Sequence, residues 1–132
     1  MTGRPRVLVA DDHRGMLDTL VRLLSDEFDV VAALSDGVSV VTQAGQLRPD
    51  LIVLDIAMPG LSGLAAAARL KEHGFDGRIV FVTNMRDREF VDGSLALGAV
   101  GFVIKDRLVS DLLPAIRRVL AGEVFISPSV AR

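Results

Sequence analysis

Five short apolar runs constrain this chain more than any other feature. They are Val7-Leu8-Val9-Ala10, Val30-Val31-Ala32-Ala33-Leu34, Leu51-Ile52-Val53-Leu54, Ile79-Val80-Phe81-Val82 and Phe102-Val103-Ile104. Each is too short for a buried helix and lacks the apolar–polar alternation of a strand with one wet face. Val7-Leu8-Val9-Ala10 therefore reads as a strand covered on both sides, and the others as further strands, with the second run at an edge. Helical spacing fills the intervals. Met16, Leu17, Leu20, Val21, Leu23 and Leu24 make the first helix, and residues 38–47 a weaker second, closed by Pro49, which disfavours helix at Arg48. Pro59, Gly60 and Gly63 force a loop before the Ala-rich third helix, residues 64–72, which stops at His73-Gly74. Residues 87–97 form the fourth, ending at Gly98. Leu112, Leu113, Ile116, Val119 and Leu120 mark the fifth, ending at Gly122. Strict alternation predicts an α/β fold with a parallel sheet and right-handed crossovers. Pro114 is tolerated best in a helix's first turn, which predicts Ser110 as the N-cap. Residues 123–132 carry little helical pattern and are expected to trail off a domain spanning 1–122, as a tail or as the start of a linker to a further domain.

Composition narrows the function. The 132 residues are 50% hydrophobic and 24% charged, enough to bury one core and too apolar for disorder. The absence of cysteine excludes a disulfide framework, a thiolate metal site and a cysteine nucleophile. A net charge of −2 argues against a globally basic nucleic-acid binder. No apolar run approaches the ~20 residues of a membrane span, and Asp11-Asp12 cuts off the run that a signal peptide would need. A cytoplasmic location is expected. The charge is uneven: residues 1–66 hold five basic and nine acidic side chains, the rest ten and eight.

Ligands of open parallel sheets bind beyond the carboxyl ends of the strands. Asp11 and Asp12 follow the first strand, Asp55 the third, Thr83 closes the fourth and Lys105 follows the fifth. Singly, each has an ordinary structural role: Asp12 an N-cap, Asp55 or Asp11 a solvated loop acid, Thr83 a strand residue, Lys105 a surface lysine. Together they change the balance. Unit charges 4 Å apart repel by about 4 kcal/mol at an effective dielectric near 20. Three carboxylates at one edge therefore call for a cation. An all-oxygen set points to a hard one, and Mg²⁺ fits best because it takes one or two carboxylates, keeps waters and pairs with phosphoryl groups. Lys105 and Thr83 would then serve an anion beside the metal.

These residues closely resemble the receiver domain of two-component response regulators, the CheY-like family. The resemblance rests on Asp11-Asp12, on Asp55-Ile56-Ala57-Met58-Pro59-Gly60 with Gly63, on Thr83, and on Gly98-Ala99-Val100-Gly101-Phe102-Val103-Ile104-Lys105. It covers residues 5–122. It implies a flavodoxin-like three-layer sandwich, a five-stranded parallel sheet of order 2-1-3-4-5 with five helices. It also implies roles. Asp55 would take a phosphoryl group from a phosphohistidine of a sensor histidine kinase. Asp12, Asp55 and the backbone carbonyl of Ala57 would hold Mg²⁺ directly, and Asp11 through water. Lys105 and Thr83 would bind phosphoryl oxygens, with Thr83 and Phe102 moving together as the switch. Phe102 is equally consistent with a plain core ring.

The chain departs from the pattern at Asn84, where a small residue is common. Ala57 and Met85, two beyond Asp55 and Thr83, are unable to orient an attacking water, so self-dephosphorylation is expected to be slow to moderate. Residues 112–123 with Ile126-Ser127-Pro128 look like receivers of the NarL/LuxR type, which normally continue into a helix-turn-helix DNA-binding domain. The expectation is a piece of a transcription regulator, the alternative a stand-alone or pseudo-receiver acting as an interaction module. Arg86, Arg88, Arg107, Arg117 and Arg118, interleaved with Asp87, Glu89, Asp92 and Asp111, read chiefly as a solvated face. Their functional reading is a homodimer face built from the fourth helix, fifth strand and fifth helix. His13 and His73 read as surface residues. A dehalogenase-type phosphatase would need Asp-x-Asp where Asp11-Asp12-His13 stands. Neither a Gly-x-Gly-x-x-Gly nor a P-loop is present, and no Trp or Tyr offers a flavin a stacking partner.

Overall fold

The structure is a computed structural model that describes residues 3–84, 88–96 and 101–127. Six parallel strands, β1 (Arg6–Ala10), β2 (Asp29–Leu34), β3 (Leu51–Asp55), β4 (Arg78–Thr83), β5 (Gly101–Ile104) and β6 (Phe125–Ile126), form one sheet of order β2-β1-β3-β4-β5-β6. The helices are α1 (Arg14–Leu24), α2 (Gly37–Leu47), α3 (Gly63–Glu72), α4 (Arg88–Ala96) and α5 (Leu108–Leu120). This is the expected flavodoxin-like sandwich with one strand more.

Strand side chains alternate between two cores. Leu8, Ile52, Leu54, Phe81, Phe102 and Ile104 meet Val40, Ala44, Ala66, Leu70 and Val91 of α2, α3 and α4. Val7, Val9, Leu51, Val53, Val80, Val82 and Val103 meet Leu20 and Leu24 of α1 and Leu112, Ile116 and Val119 of α5. Both faces are covered, so the central strands read as unbroken apolar runs. Among the described residues, no helix is long and apolar enough to cross a membrane.

Two expectations are corrected at the C-terminal end. Residues Phe125–Ile126 do not trail away but pair with β5, Gly101 opposite Phe125 and Phe102 opposite Ile126. Two residues are too few to show a period, so the pattern was invisible. Helix α5 starts at Leu108 with Arg107 at its N-cap, placing Ser110 and Pro114 inside it. The buried stripe Leu108, Leu112, Ala115, Ile116 and Val119 outweighs the local cost of the proline. That cost is measurable. An interior proline is worth about 3 kcal/mol less than alanine, whereas its stiffening of the unfolded chain returns at most about 1 kcal/mol. Pro114→Ala is thus expected to raise the unfolding free energy by about 2 kcal/mol in urea titrations; a loss of stability would contradict this account of α5.

Candidate functional site

Parallel pairing places the ends of β1, β3, β4 and β5 side by side, with Asp55 opposite Val82 and Thr83 opposite Ile104. Asp11 follows β1, Asp55 ends β3, Thr83 ends β4, and Lys105 opens a 3₁₀ turn, Lys105–Arg107, directly after β5. The sequence-predicted residues therefore come together at one edge. Asp11 is fully buried, and Asp55 and Thr83 nearly so. Asp12 is exposed, and the first helix takes His13 rather than Asp12 as its N-cap.

The cluster is tightly knit. Lys105 Nζ lies 3.0 Å from Asp11 Oδ2 and 3.3 Å from Asp55 Oδ2. The approach to Asp11 is an ion pair off the hydrogen-bond line, and Asp11 Oδ2 is buried without a hydrogen bond. The other Asp11 oxygen accepts the His13 backbone N–H at 2.9 Å, and Asp55 Oδ1 accepts that of Ala57 at 3.3 Å. One ligand atom each of Asp11, Asp12, His13 and Asp55 lies within 4.8 Å of the others. The Asp55 carboxyl is pushed above its ordinary value, first by burial and then by the Asp11 charge, against the pull of Lys105 and the Ala57 N–H. For Lys105, burial alone would lower the pKa, but pairing with Asp11 and Asp55 outweighs it and the ammonium stays charged.

The loop after β3 explains one glycine. A Cβ on Gly63 would stand 2.1 Å from the Asp55 carbonyl oxygen, and the Gly63 N–H donates to Ile56 O at 2.7 Å. Any larger residue would push against the backbone that carries Asp55. Two open clefts flank the cluster. One, of about 560 Å³, is lined by Asp11, Asp12, Asp36 and Ser39; the other, of about 430 Å³, by His13, Met16, Asn84, Lys105 and Asp106. Asn84 thus lines the same cleft as Lys105.

Phe102 is buried beneath the site, its ring 6.3 Å from that of Phe81 at 55°. His13, read as a surface residue, is largely exposed, yet its Nδ1 is 3.3 Å from Asp12 Oδ1 and 3.5 Å from Asp11 Oδ1. Its neighbours Asp11-Asp12 were the signal for that placement. Asp111, grouped with the solvated charges, is instead buried, bound by Arg107 and Ser127. Met85, Arg86, Asp87 and Gly98 lie outside the described residues.

Fold and site together define a parallel α/β domain whose carboxylate–lysine cluster sits at the strand ends. Residues 7–117 match the family described as the response regulator receiver domain. The chain belongs to that family. It is 37% identical over 132 residues to a nitrate/nitrite response regulator protein homolog of Haemophilus influenzae, covering 98% of this chain and 64% of that protein. It is 36% identical over 126 residues to the nitrate/nitrite response regulator protein NarL of Escherichia coli K12, covering 94% and 58%. The chain thus spans about three fifths of the length of the curated relatives it matches. Among solved structures, a LuxR-family two-component response regulator from Aurantimonas sp. SI85-9A1 superposes with a TM-score of 0.92 at 27% identity, covering 98% of this chain and 94% of that one. The signal receiver domain of the response regulator NarL from Mycobacterium tuberculosis gives 0.87 at 28%, covering 92% and 100%. The chain is a receiver domain of the NarL/LuxR type.

Proposed function

We propose that Asp55 is the phosphoacceptor of this receiver and that Asp11, Asp12, Asp55 and the Ala57 carbonyl serve a Mg²⁺ ion. The observation that carries this reading is the buried Asp11 Oδ2, which accepts no hydrogen bond and faces the Asp55 carboxylate across a single ammonium. Two buried carboxylates sharing one lysine leave a net negative site, and an all-oxygen donor set suits a hard divalent cation. When bound, Mg²⁺ neutralises the carboxylates and the oxygens of the incoming phosphoryl group.

In the reaction an Asp55 carboxylate oxygen attacks phosphorus, the P–N bond to the donor histidine breaks, and the imidazole leaves with the electron pair. An acyl phosphate on Asp55 results. Lys105, released from Asp11 and Asp55, pairs with a phosphoryl oxygen, and Thr83 donates a hydrogen bond to another. Thr83 and Phe102 then bias β5 and its surroundings towards a second arrangement. The receiver works in the cytoplasm, and a sensor histidine kinase supplies the phosphoryl group. The output is transcriptional, through a DNA-binding domain outside these 132 residues and a homodimer formed by α4, β5 and α5.

Incubation with acetyl phosphate and Mg²⁺ followed by intact-mass measurement tests the reading. One phosphoryl adduct is expected, abolished by Asp55→Asn or by a chelator. The absence of an adduct with every donor would favour an interaction module that works without phosphorylation.

A further inference from the structure

Among the described residues, the most completely buried polar group outside the site is Ser127, in the segment after α5. Its hydroxyl donates to Asp111 Oδ2 at 2.8 Å and accepts the Ile104 N–H at 3.1 Å, while its own N–H donates to Phe102 O at 2.9 Å. Asp111 is held in turn by Arg107, through Nε at 2.9 Å and Nη2 at 3.3 Å, and by the Ser110 hydroxyl at 3.1 Å. Burial pushes the Asp111 carboxyl up, but the hydrogen bonds from Arg107, Ser127 and Ser110 outweigh it and keep the group ionised.

The network brackets a particular piece of chain. The 3₁₀ turn Lys105–Arg107 connects β5 to α5 and carries Lys105 at its first position. Ile104, just before the turn, is tied to Ser127. Arg107, at its end, is tied to Asp111. Ser127 and Asp111 are tied to each other. Both ends of the turn are therefore fastened to one pair of side chains, and a short 3₁₀ turn has few bonds of its own to hold it.

We propose that Ser127 and Asp111 are positioning residues for Lys105, and that docking of the segment after α5 is thereby linked to occupancy of the phosphoryl site. This rests on the reading of Asp55 as phosphoacceptor. A pre-set lysine meets the phosphoryl oxygen without first losing conformational freedom, and that advantage disappears when the turn loosens. The linkage is reciprocal: whatever the closed network adds to phosphoryl binding, phosphoryl binding returns to the docked segment.

The test uses the whole chain with beryllofluoride, a phosphoryl mimic, and Mg²⁺. Ser127→Ala is expected to weaken beryllofluoride binding at least about threefold without weakening Mg²⁺ binding, because the carboxylates stand on other strands and a loosened Lys105 competes for their oxygens no more strongly than before. Ser127→Thr, which keeps the hydroxyl, should restore most of the loss, and Asp111→Asn should reproduce it. In the wild-type chain beryllofluoride should slow amide hydrogen exchange at Ile104 and Ser127. Unchanged beryllofluoride affinity in a folded Ser127→Ala chain would overturn the positioning role. An equal loss of Mg²⁺ affinity would overturn it too, since that marks general loosening. A wild-type chain that binds Mg²⁺ but no beryllofluoride would sink the phosphoacceptor reading, and this proposal with it.

Discussion

Replacing Lys105 with alanine is expected to destabilise the chain in chelator at neutral pH by about 3 kcal/mol, the cost of stranding buried charge. The ammonium is the cation seen between Asp11 Oδ2 and Asp55 Oδ2, at 3.0 and 3.3 Å. Without it the two carboxylates face each other from largely dry positions. The same change should tighten Mg²⁺ binding, since a competing positive charge has left the oxygens a metal would use. Phosphorylation by acetyl phosphate should nevertheless slow by about 100-fold, because a group aimed at developing phosphoryl charge is gone. Opposite signs for metal affinity and reaction rate are a signature that simple loss of fold would not produce. Urea unfolding, Mg²⁺ titration and adduct kinetics measure the three quantities. Unaltered stability in chelator would mean that Lys105 does not hold the carboxylates together.

The second large effect is a reversal of pH dependence by metal. Asp55 binds its proton more tightly in the folded chain than in the unfolded one, through burial first and the Asp11 charge second. Folding is then favoured by protonation. The contribution is fully present below the unfolded value, about 4, and is lost as pH rises through the higher folded value. In chelator, stability should therefore decline over the range just above pH ~4, and Asp55→Asn should remove that decline. Saturating Mg²⁺ should turn the slope upward, because the metal needs the ionised carboxylate. Asp36, lowered chiefly by the Ser39 N–H, and Asp111 act in the other direction. Their contributions disappear only as pH falls below the ordinary carboxylate range, so the two windows separate. Thermal unfolding across pH, with and without Mg²⁺, resolves them. A rising slope in chelator that Asp55→Asn does not alter would contradict this assignment.

The central sheet was legible because its strands are buried on both faces and so announce themselves as unbroken apolar runs. The site was legible for a related reason: in a parallel sheet the residue after each strand is driven to the same edge, so Asp11, Asp55, Thr83 and Lys105 were identifiable before any distance was known. Local preference misled where packing won. Pro114 argued for a later helix start, yet the apolar stripe from Leu108 to Val119 carries α5 through it. Phe125–Ile126 was too short to show a period, and the Ser127 bonds to Phe102 and Ile104 lie beside its pairing with β5. Asp111 looked like one more surface acid because the sequence does not show that Ser127, sixteen residues on, returns to cover it. The departures share a cause, contacts between segments whose own patterns are weak.

The phosphoryl group is expected to land on Asp55. Reducing the acetyl phosphate-treated chain with borohydride converts an aspartyl phosphate to homoserine, which peptide mass spectrometry then places. Homoserine at position 55, dependent on Mg²⁺ and absent without phosphodonor, is the expected result. Homoserine at position 11 or 12 instead, or at no position in a chain that carries an adduct, would contradict it.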